Sequence, residues 1–549
     1  MPDLDARSRP DLRHDPAAPP PTAPVSRPPA WRLVLGEVVH ASTDAWRTPA
    51  TLLVTLIFPL LFLVVSGLAA GAAPGDAGDG AIQRLVPGAA VFAVAMATFV
   101  MLAFSVAVAG EQGVLKRLRG TPLPAWAYLA GRAGAAAWVA VLGTVLMVVV
   151  GVVAYGLDLT PRTLPAALLG LIVTIGVLAS LGLAVASLVG SSQAVLSLTM
   201  GAVILLGFVS DLYGFDGDLP RWLEAIGWTF PLRHAVEVLA VPLQPGVGGA
   251  GVAFGSLAAL LAWGALGAVV ASRHLGRETR ATSRRSSGHR TATARGWSAD
   301  GSPRPLGMIW GQTRHANRSV WREPVYAFFA LALPTLFVVI LPQVVGNPEF
   351  DGRSFAEWMT TGMPVFGVAL TAYVALPELV AAARDRGVLK RLRGTPLPAW
   401  AYLTGRLVSV AWIASLTVAI LLFAGWWLYG VAPVATGWPT LVLVLGVGIA
   451  CFAALGLAVG SVAPNAEAVP AITLATFMPL MFLSGIFPLG DVLPEVVTAI
   501  AGWLPIAPLV DAVREAFSTG ALLTRELAIV GGWALLGAVV ATWRFRWEG

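Results

Sequence analysis

Charge is what this chain lacks most. Only 12% of its 549 residues are charged, against about 25% in a soluble globular chain, while 57% are hydrophobic. That shortage excludes a soluble enzyme, and the apolar excess excludes a chain disordered over most of its length. The single cysteine, Cys451, excludes an intramolecular disulfide and lies in an apolar run, where it reads as an inert small hydrophobe. Lysine is nearly missing too: of 36 basic residues only Lys116 and Lys390 are lysines. Neither falls in a GxxxxGK[ST] pattern, so no P-loop is present to cradle a nucleotide phosphate. The six histidines are scattered without HExxH or Cys/His ligand spacing, and no metal is assigned.

What is present is a repeat. Residues 113–132 read GVLKRLRGTPLPAWAYLAGR and residues 387–406 read GVLKRLRGTPLPAWAYLTGR, differing only at Ala130/Thr404. At nearly the same offset His40, Trp46, Arg47, Pro49 and Pro59 match His315, Trp321, Arg322, Pro324 and Pro334. The chain is therefore two homologous halves, and a repeat on this scale organises the whole fold. Each half holds six apolar runs near the ~20 residues that cross a bilayer. They fall at about 49–71, 87–110, 130–155, 164–189, 193–210 and 249–272, then at about 324–345, 361–383, 404–430, 438–462, 467–486 and 525–543. Their length and the absence of period-2 alternation make them helices rather than barrel strands. The expected fold is an all-α polytopic membrane protein of about twelve transmembrane helices.

The domain plan follows. Residues 1–29, rich in Pro, Arg and Asp, read as a disordered tail without the apolar core of a signal peptide. Residues 30–272 form the first half and 307–549 the second, joined by an Arg/Ser/Thr/Gly-rich tether at 273–306. With both termini and both repeated loops on one side, that side carries 29 basic residues, and the other carries 6 arginines against 15 acids. The positive-inside rule makes the first side cytoplasmic; the resemblance given below implies a bacterial plasma membrane.

Three segments per half bear on function. The elbows, 30–47 and 307–323, mix Trp and His with charges and end in Trp-Arg-x-Pro, which suits amphipathic helices on the inner leaflet. The repeated cytoplasmic segments, 111–125 and 385–399, open on Glu111 and Asp385. Val114 and Leu118, like Val388 and Leu392, share one face of a short helix, with Lys116, Arg117 and Arg119, or Lys390, Arg391 and Arg393, mostly elsewhere. Thr121-Pro122 and Thr395-Pro396 then suit an N-cap and first turn of the following helix. A topogenic loop needs charge but not side-chain order; 19 matching residues of 20 point to a surface that meets the same partner twice. The outer segments, 211–248 and 487–523, are too apolar for solvated loops and read as helices dipping back into the outer leaflet. Their charges, Arg233, Glu237, Asp511 and Arg514 among them, suit local salt bridges or an outer gate.

These features, taken in order, resemble the ABC-2 type exporter permeases: elbow, six spans per half, an arginine-rich R-x-TP segment after span two, and an outer re-entrant segment after Leu483-Ser484-Gly485-Ile486-Phe487-Pro488. The first half has Leu206-Gly207-Phe208-Val209-Ser210 there instead and lacks that proline. The fused double form is similar to antibiotic and multidrug exporters of the daunorubicin/tetronasin type in actinobacteria. The resemblance implies a transport subunit with no catalytic residues or cofactor of its own, served by two copies of a separate ATPase that holds ATP and Mg. Two identical ATPase chains present two identical sockets, which explains two matching plugs: Glu111, Lys116, Arg117, Arg119, Asp385, Lys390, Arg391 and Arg393. The pathway is expected between the halves, along Phe92, Phe366, Phe477, Met478, Met481 and Phe482. An apolar, aromatic route suits lipophilic or amphipathic compounds; no nucleic-acid partner is expected. The rival reading is a twelve-helix proton-coupled transporter of the major facilitator type. It is disfavoured because the span interiors hold almost no ionisable residue, Glu378 and Glu467 lying near cytoplasmic ends. A membrane-embedded enzyme would need clustered acids or histidines at the surface, and the sequence has no such cluster.

Overall fold

A computed structural model describes residues 29–47, 49–69, 81–118, 123–189, 191–212, 221–244, 251–281, 305–322, 328–350, 352–385, 387–388, 390, 399–463, 468–487 and 495–544. The expected tail, most of the tether, Thr121, Pro122, Thr395, Pro396 and Glu467 lie outside them.

The chain is helical at every expected apolar run, and we number these helices one to twelve. In the first half they are Pro49–Ala69, Ile82–Glu111, Ala125–Tyr155, Leu164–Leu188, Ser192–Val209 and Phe254–Ala281. In the second they are Leu333–Val345, Phe355–Asp385, Ala399–Tyr429, Trp438–Val462, Ala468–Leu483 and Thr524–Arg544. Among the described residues, eight are long and apolar enough to cross a membrane. The helices at positions one, five, seven and eleven carry shorter apolar stretches, Thr55–Val64, Ala194–Val209, Ala330–Gln343 and Ile472–Leu483. A helix thus stands at each of the twelve expected positions, as an all-α polytopic membrane protein requires. Two boundaries move. Helix six runs on to Ala281, into the segment read as tether. Helix three starts at Ala125 behind an extended Pro124 rather than at Pro122, because Pro124 has no N–H to bond and sits best at the helix edge.

The halves repeat their caps as well as their sequence. Helix three ends on Gly156 (φ 69°), with Leu157 N–H bonded to Gly151 O; helix nine ends on Gly430 (φ 70°), with Val431 N–H bonded to Gly425 O. Both are left-handed glycine stops that satisfy orphan carbonyls. Helices two and eight share a rarer feature. Each opens into π-helical geometry, at Ala95–Met101 and Leu370–Ala375. A glycine of helix four or ten packs on that widened backbone. A Cβ on Gly182 would lie 2.8 Å from Thr98 O, and one on Gly456 would lie 2.5 Å from Ala372 O. Gly267 and Gly537 bring helices six and twelve equally close to Ser180–Leu181 and Ala454–Leu455. Without a hydrophobic drive between helices in lipid, such small-residue crossings supply the packing.

The halves meet along a seam with approximate two-fold character. Helix one packs on helix eleven, and helix seven on helix five. At one end of the bundle lie the elbows, Ala30–Arg47 and Pro305–Arg322, with the repeated segments; at the other lie two broken helix pairs. These are Arg221–Thr229 with Pro231–Ala240, and Glu495–Ala501 with Ile506–Ser518, the latter bent by 81°. The first half forms its pair despite lacking the proline after helix five. A short β-hairpin, Glu349–Phe350 with Arg353–Ser354, is the one strand pairing among the described residues.

Gly456→Ala should lower stability by about 1–3 kcal/mol, since a backbone carbonyl cannot step aside. Gly446→Ala, in the same helix with nothing within 4 Å, should not. Thermal unfolding of the two purified variants checks this.

Candidate functional site

At the elbow end, helices two and eight stop at matching left-handed glycines, Gly113 (φ 71°) and Gly387 (φ 66°), whose N–H groups bond Gly110 O and Arg384 O. A positive φ is cheap only for glycine, so each repeated segment leaves its helix at the same angle. Val114–Leu118 then forms one short helical turn. Arg117 is exposed and donates back to Gln112 O at 2.9 Å; Lys390 is also exposed. The side chain of Lys116, and Arg119, Arg391 and Arg393 entirely, lie outside the described residues. Each segment re-enters the bundle through a buried tyrosine under an arginine, Arg132 over Tyr128 (5.3 Å) and Arg406 over Tyr402 (5.6 Å). The elbows lie against the same helices, Glu37 meeting Gly131 and Gln312 meeting Gly405, and their Trp31, Trp46, Trp310 and Trp321 are exposed.

Glu111 and Asp385 occupy matching positions. The Glu111 carboxylate accepts from Ser192 N–H (2.7 Å) and Ser192 Oγ–H (2.8 Å), at the first turn of helix five. Asp385 lies 3.3 Å from Arg384, whose guanidinium donates to Gly460 O and Ala463 O where helix ten ends. Arg384 was not singled out from sequence; its counterpart, Gly110, has no side chain to compare.

The six expected pathway residues all fall in or against one apolar cluster spanning both halves. Phe92, Phe366, Phe477, Met481 and Phe482 are buried, and Met478 is half-buried. A row of rings crosses the seam: Phe208 to Phe337 (5.3 Å), Phe337 to Phe366 (6.0 Å), Phe366 to Phe477 (5.6 Å). Phe92 packs against Phe58 and Phe62 of helix one, and Phe482 stacks on Phe487. The row is closed by direct ring contact. Tyr373 adds a polar contact beside it, its hydroxyl 2.7 Å from Thr476 Oγ1.

At the far end, where the four expected gate residues lie, each half holds its own turn after helix five or eleven. In the first half Asp211 takes a positive φ of 57°, and Arg233 lies 3.6 Å from its carboxylate and over Trp228. In the second half Gly485 (φ 72°) replaces Asp211 at the same offset as the repeat. Its carbonyl accepts from Trp358 Nε1 (2.8 Å) and from Arg514, which is 7% exposed and stacked on Trp358 at 3.9 Å. Asp511 is exposed, and Glu237 lies half-buried on the first pair. Trp358 was missed from sequence because nothing in an apolar run marks one tryptophan as a donor.

This is a polytopic helical membrane protein built from two copies of one unit. The sequence profile of the ABC-2 type transporter family matches residues 39–243 and 309–518, once per half, and the chain belongs to that family. It is similar to a protein named as a transport permease, YvfS, of Bacillus subtilis (strain 168), 24% identical over 200 residues, or 36% of this chain and 81% of that one. It is also similar to a protein named as a multidrug ABC transporter permease, YbhR, of Escherichia coli (strain K12), 28% identical over 159 residues. That match covers 28% of this chain and 42% of the E. coli protein. The chain is thus the membrane subunit of an ABC transporter, which sets aside the major facilitator alternative.

Arg514→Ala should cost about 1.5–3 kcal/mol, the range for a hydrogen bond to a charged group. Arg233→Ala should cost less than about 1 kcal/mol, as partly exposed ion pairs do. Chemical denaturation of the two variants measures the difference.

Proposed function

We propose that this permease exports lipophilic or amphipathic compounds (antibiotics, drugs or lipids) and is driven by two copies of a separate ATPase that dock on its two repeated segments. The observation that carries the reading is the pair of segments itself. They leave helices two and eight through the same glycine stop, present the exposed cations Arg117 and Lys390, and re-enter beneath the same Arg–Tyr stack. Identical sockets on two identical ATPase chains call for such a pair. The elbow end then faces the cytoplasm with both termini, as the distribution of basic residues supports. ATP and Mg belong to the partner, and this chain's part is mechanical. Closure of the ATPase pair displaces the two segments, the displacement passes into helices two and eight, and the aromatic row across the seam parts. A ring-lined route with one hydroxyl pair favours apolar cargo with few hydrogen-bonding groups. Of the four charges at the far end, Arg233 and Arg514 each brace a turn that borders that exit.

Reversing the charges of Lys116, Arg117 and Arg119 together with Lys390, Arg391 and Arg393 to Glu should abolish co-purification with the ATPase and stimulated ATP turnover. Reversing one set should leave a weakened complex. Unchanged co-purification and turnover in the double set overturns the docking.

A further inference from the structure

The two elbows match in position and in the face they bury, but the faces they leave open differ. The first lies on helix three, with Glu37 and Val38 against Gly131 and Gly134; the second lies on helix nine, with Gln312 and Thr313 against Gly405. The opposite stripe of each is exposed. In the second elbow it reads Trp310, Arg314, Arg318 and Trp321, spaced four, four and three residues apart, so all four share one helical face. At the offset of 275 that aligns His40 with His315, the stripe of the first elbow reads Leu35, Val39, Thr43 and Trp46. These four are exposed as well. The balance of charge divides the same way. The first elbow sets Arg32 and Arg47 against Glu37 and Asp44, whereas the second carries Arg314, Arg318 and Arg322 and no acid. Helix nine beneath it adds Arg406 and again no acid.

We propose that the second elbow is a binding surface for the headgroups of anionic phospholipids in the inner leaflet, and that the first meets the acyl boundary of that leaflet without preference for charge. Tryptophan at both ends of the second stripe sets its depth, because the indole ring favours the membrane–water interface. Between the rings, each arginine stem lies along apolar surface while its guanidinium reaches the phosphate level, where the planar fork pairs two oxygens at once. A merely solvated basic face needs the arginines but not the flanking rings. An ATPase contact needs the same face twice, since two identical chains meet matched surfaces, and Leu35, Val39 and Thr43 do not match Trp310, Arg314 and Arg318. From Leu35 to Trp46 the first elbow has no lysine or arginine to offer a phosphate. The proposal goes beyond the docking reading and shares with it only the cytoplasmic side of the elbow end.

The test uses the full chain with the buried Cys451 replaced by alanine. A bimane fluorophore is carried on Gly36→Cys or Gly311→Cys, matching exposed sites with nothing within 4 Å. The chain is placed in nanodiscs of equal phosphatidylcholine and phosphatidylglycerol, with bromines, which quench on contact, on one lipid or the other. Both leaflets have the same composition, so the result does not depend on which way the chain faces. The ratio of the two quenching constants reads the local lipid preference. At Gly311 it should favour phosphatidylglycerol by about fivefold for each arginine, and at Gly36 it should favour neither lipid. Arg314→Gln and Arg318→Gln should each lower the preference by about that factor, and together bring it to the value at Gly36. Arg314→Lys, which keeps the charge, should keep most of it. Val39→Arg with Thr43→Arg should install the preference at Gly36. A preference equal at the two probes, one that survives the double glutamine variant, or one that does not transfer to the first elbow overturns the proposal. So does loss of quenching by both lipids at Gly311 when the ATPase is added, which would make the face a protein contact.

Discussion

In hydrocarbon a backbone has no water to bond, so every segment must close its own hydrogen bonds before it can pack. That constraint makes the chain helical, and it also takes away the usual reason for helices to associate, because lipid is as apolar as their side chains. What remains is close contact. The structure meets it with glycines that let one backbone touch another: Gly182 and Gly456 on the π-helical turns, Gly267 and Gly537 between the fourth and sixth helices of each half, Gly131 and Gly405 beneath the elbows. Each pair recurs in both halves, the last of them inside the 20-residue repeat. Across the seam between halves an aromatic pair, Phe208 with Phe337, makes contact edge to face.

Much of this was legible in the sequence because the signals were long or repeated. The halves, the elbows, the helix at every apolar run and the broken pairs after helices five and eleven follow from periodicity, composition and the 20-residue repeat. The burial of Phe92, Phe366, Phe477, Met481 and Phe482 was legible from their apolar runs; which rings touch depended on packing that no period encodes. Boundaries set by proline were misplaced at Ala125, where two prolines competed for the helix start. The π-helical turns were invisible because Ala95–Met101 and Leu370–Ala375 contain nothing that forbids an ordinary helix. The partners of Glu111 and Arg514 were equally hidden. They are contacts between segments 81 and 29 residues apart, set by tertiary placement.

The scarcity of charge gives each remaining charge a defined task. Glu111 answers the positive end of helix five, Arg384 the negative end of helix ten, and Arg514 a carbonyl left open by the Gly485 turn. These are places where the helix itself leaves donors or acceptors unsatisfied. Asp211 illustrates the same economy: at the position of Gly485 it accepts a left-handed backbone, which aspartate tolerates better than most residues, and its carboxylate holds Arg233.

The widened turn in helices two and eight carries a geometric consequence. One additional residue in an α-helix shifts everything beyond it by about 100°. The face that each helix packs before the wide turn is therefore not the face that continues, in plain α-helical phase, to its glycine stop and the segment beyond. Each helix holds two angular settings in one rod. Closing the wide turn would swivel the basic segment about the helix axis with the seam-facing rings left in place, so that a rotation at one end can be stored without translation at the other.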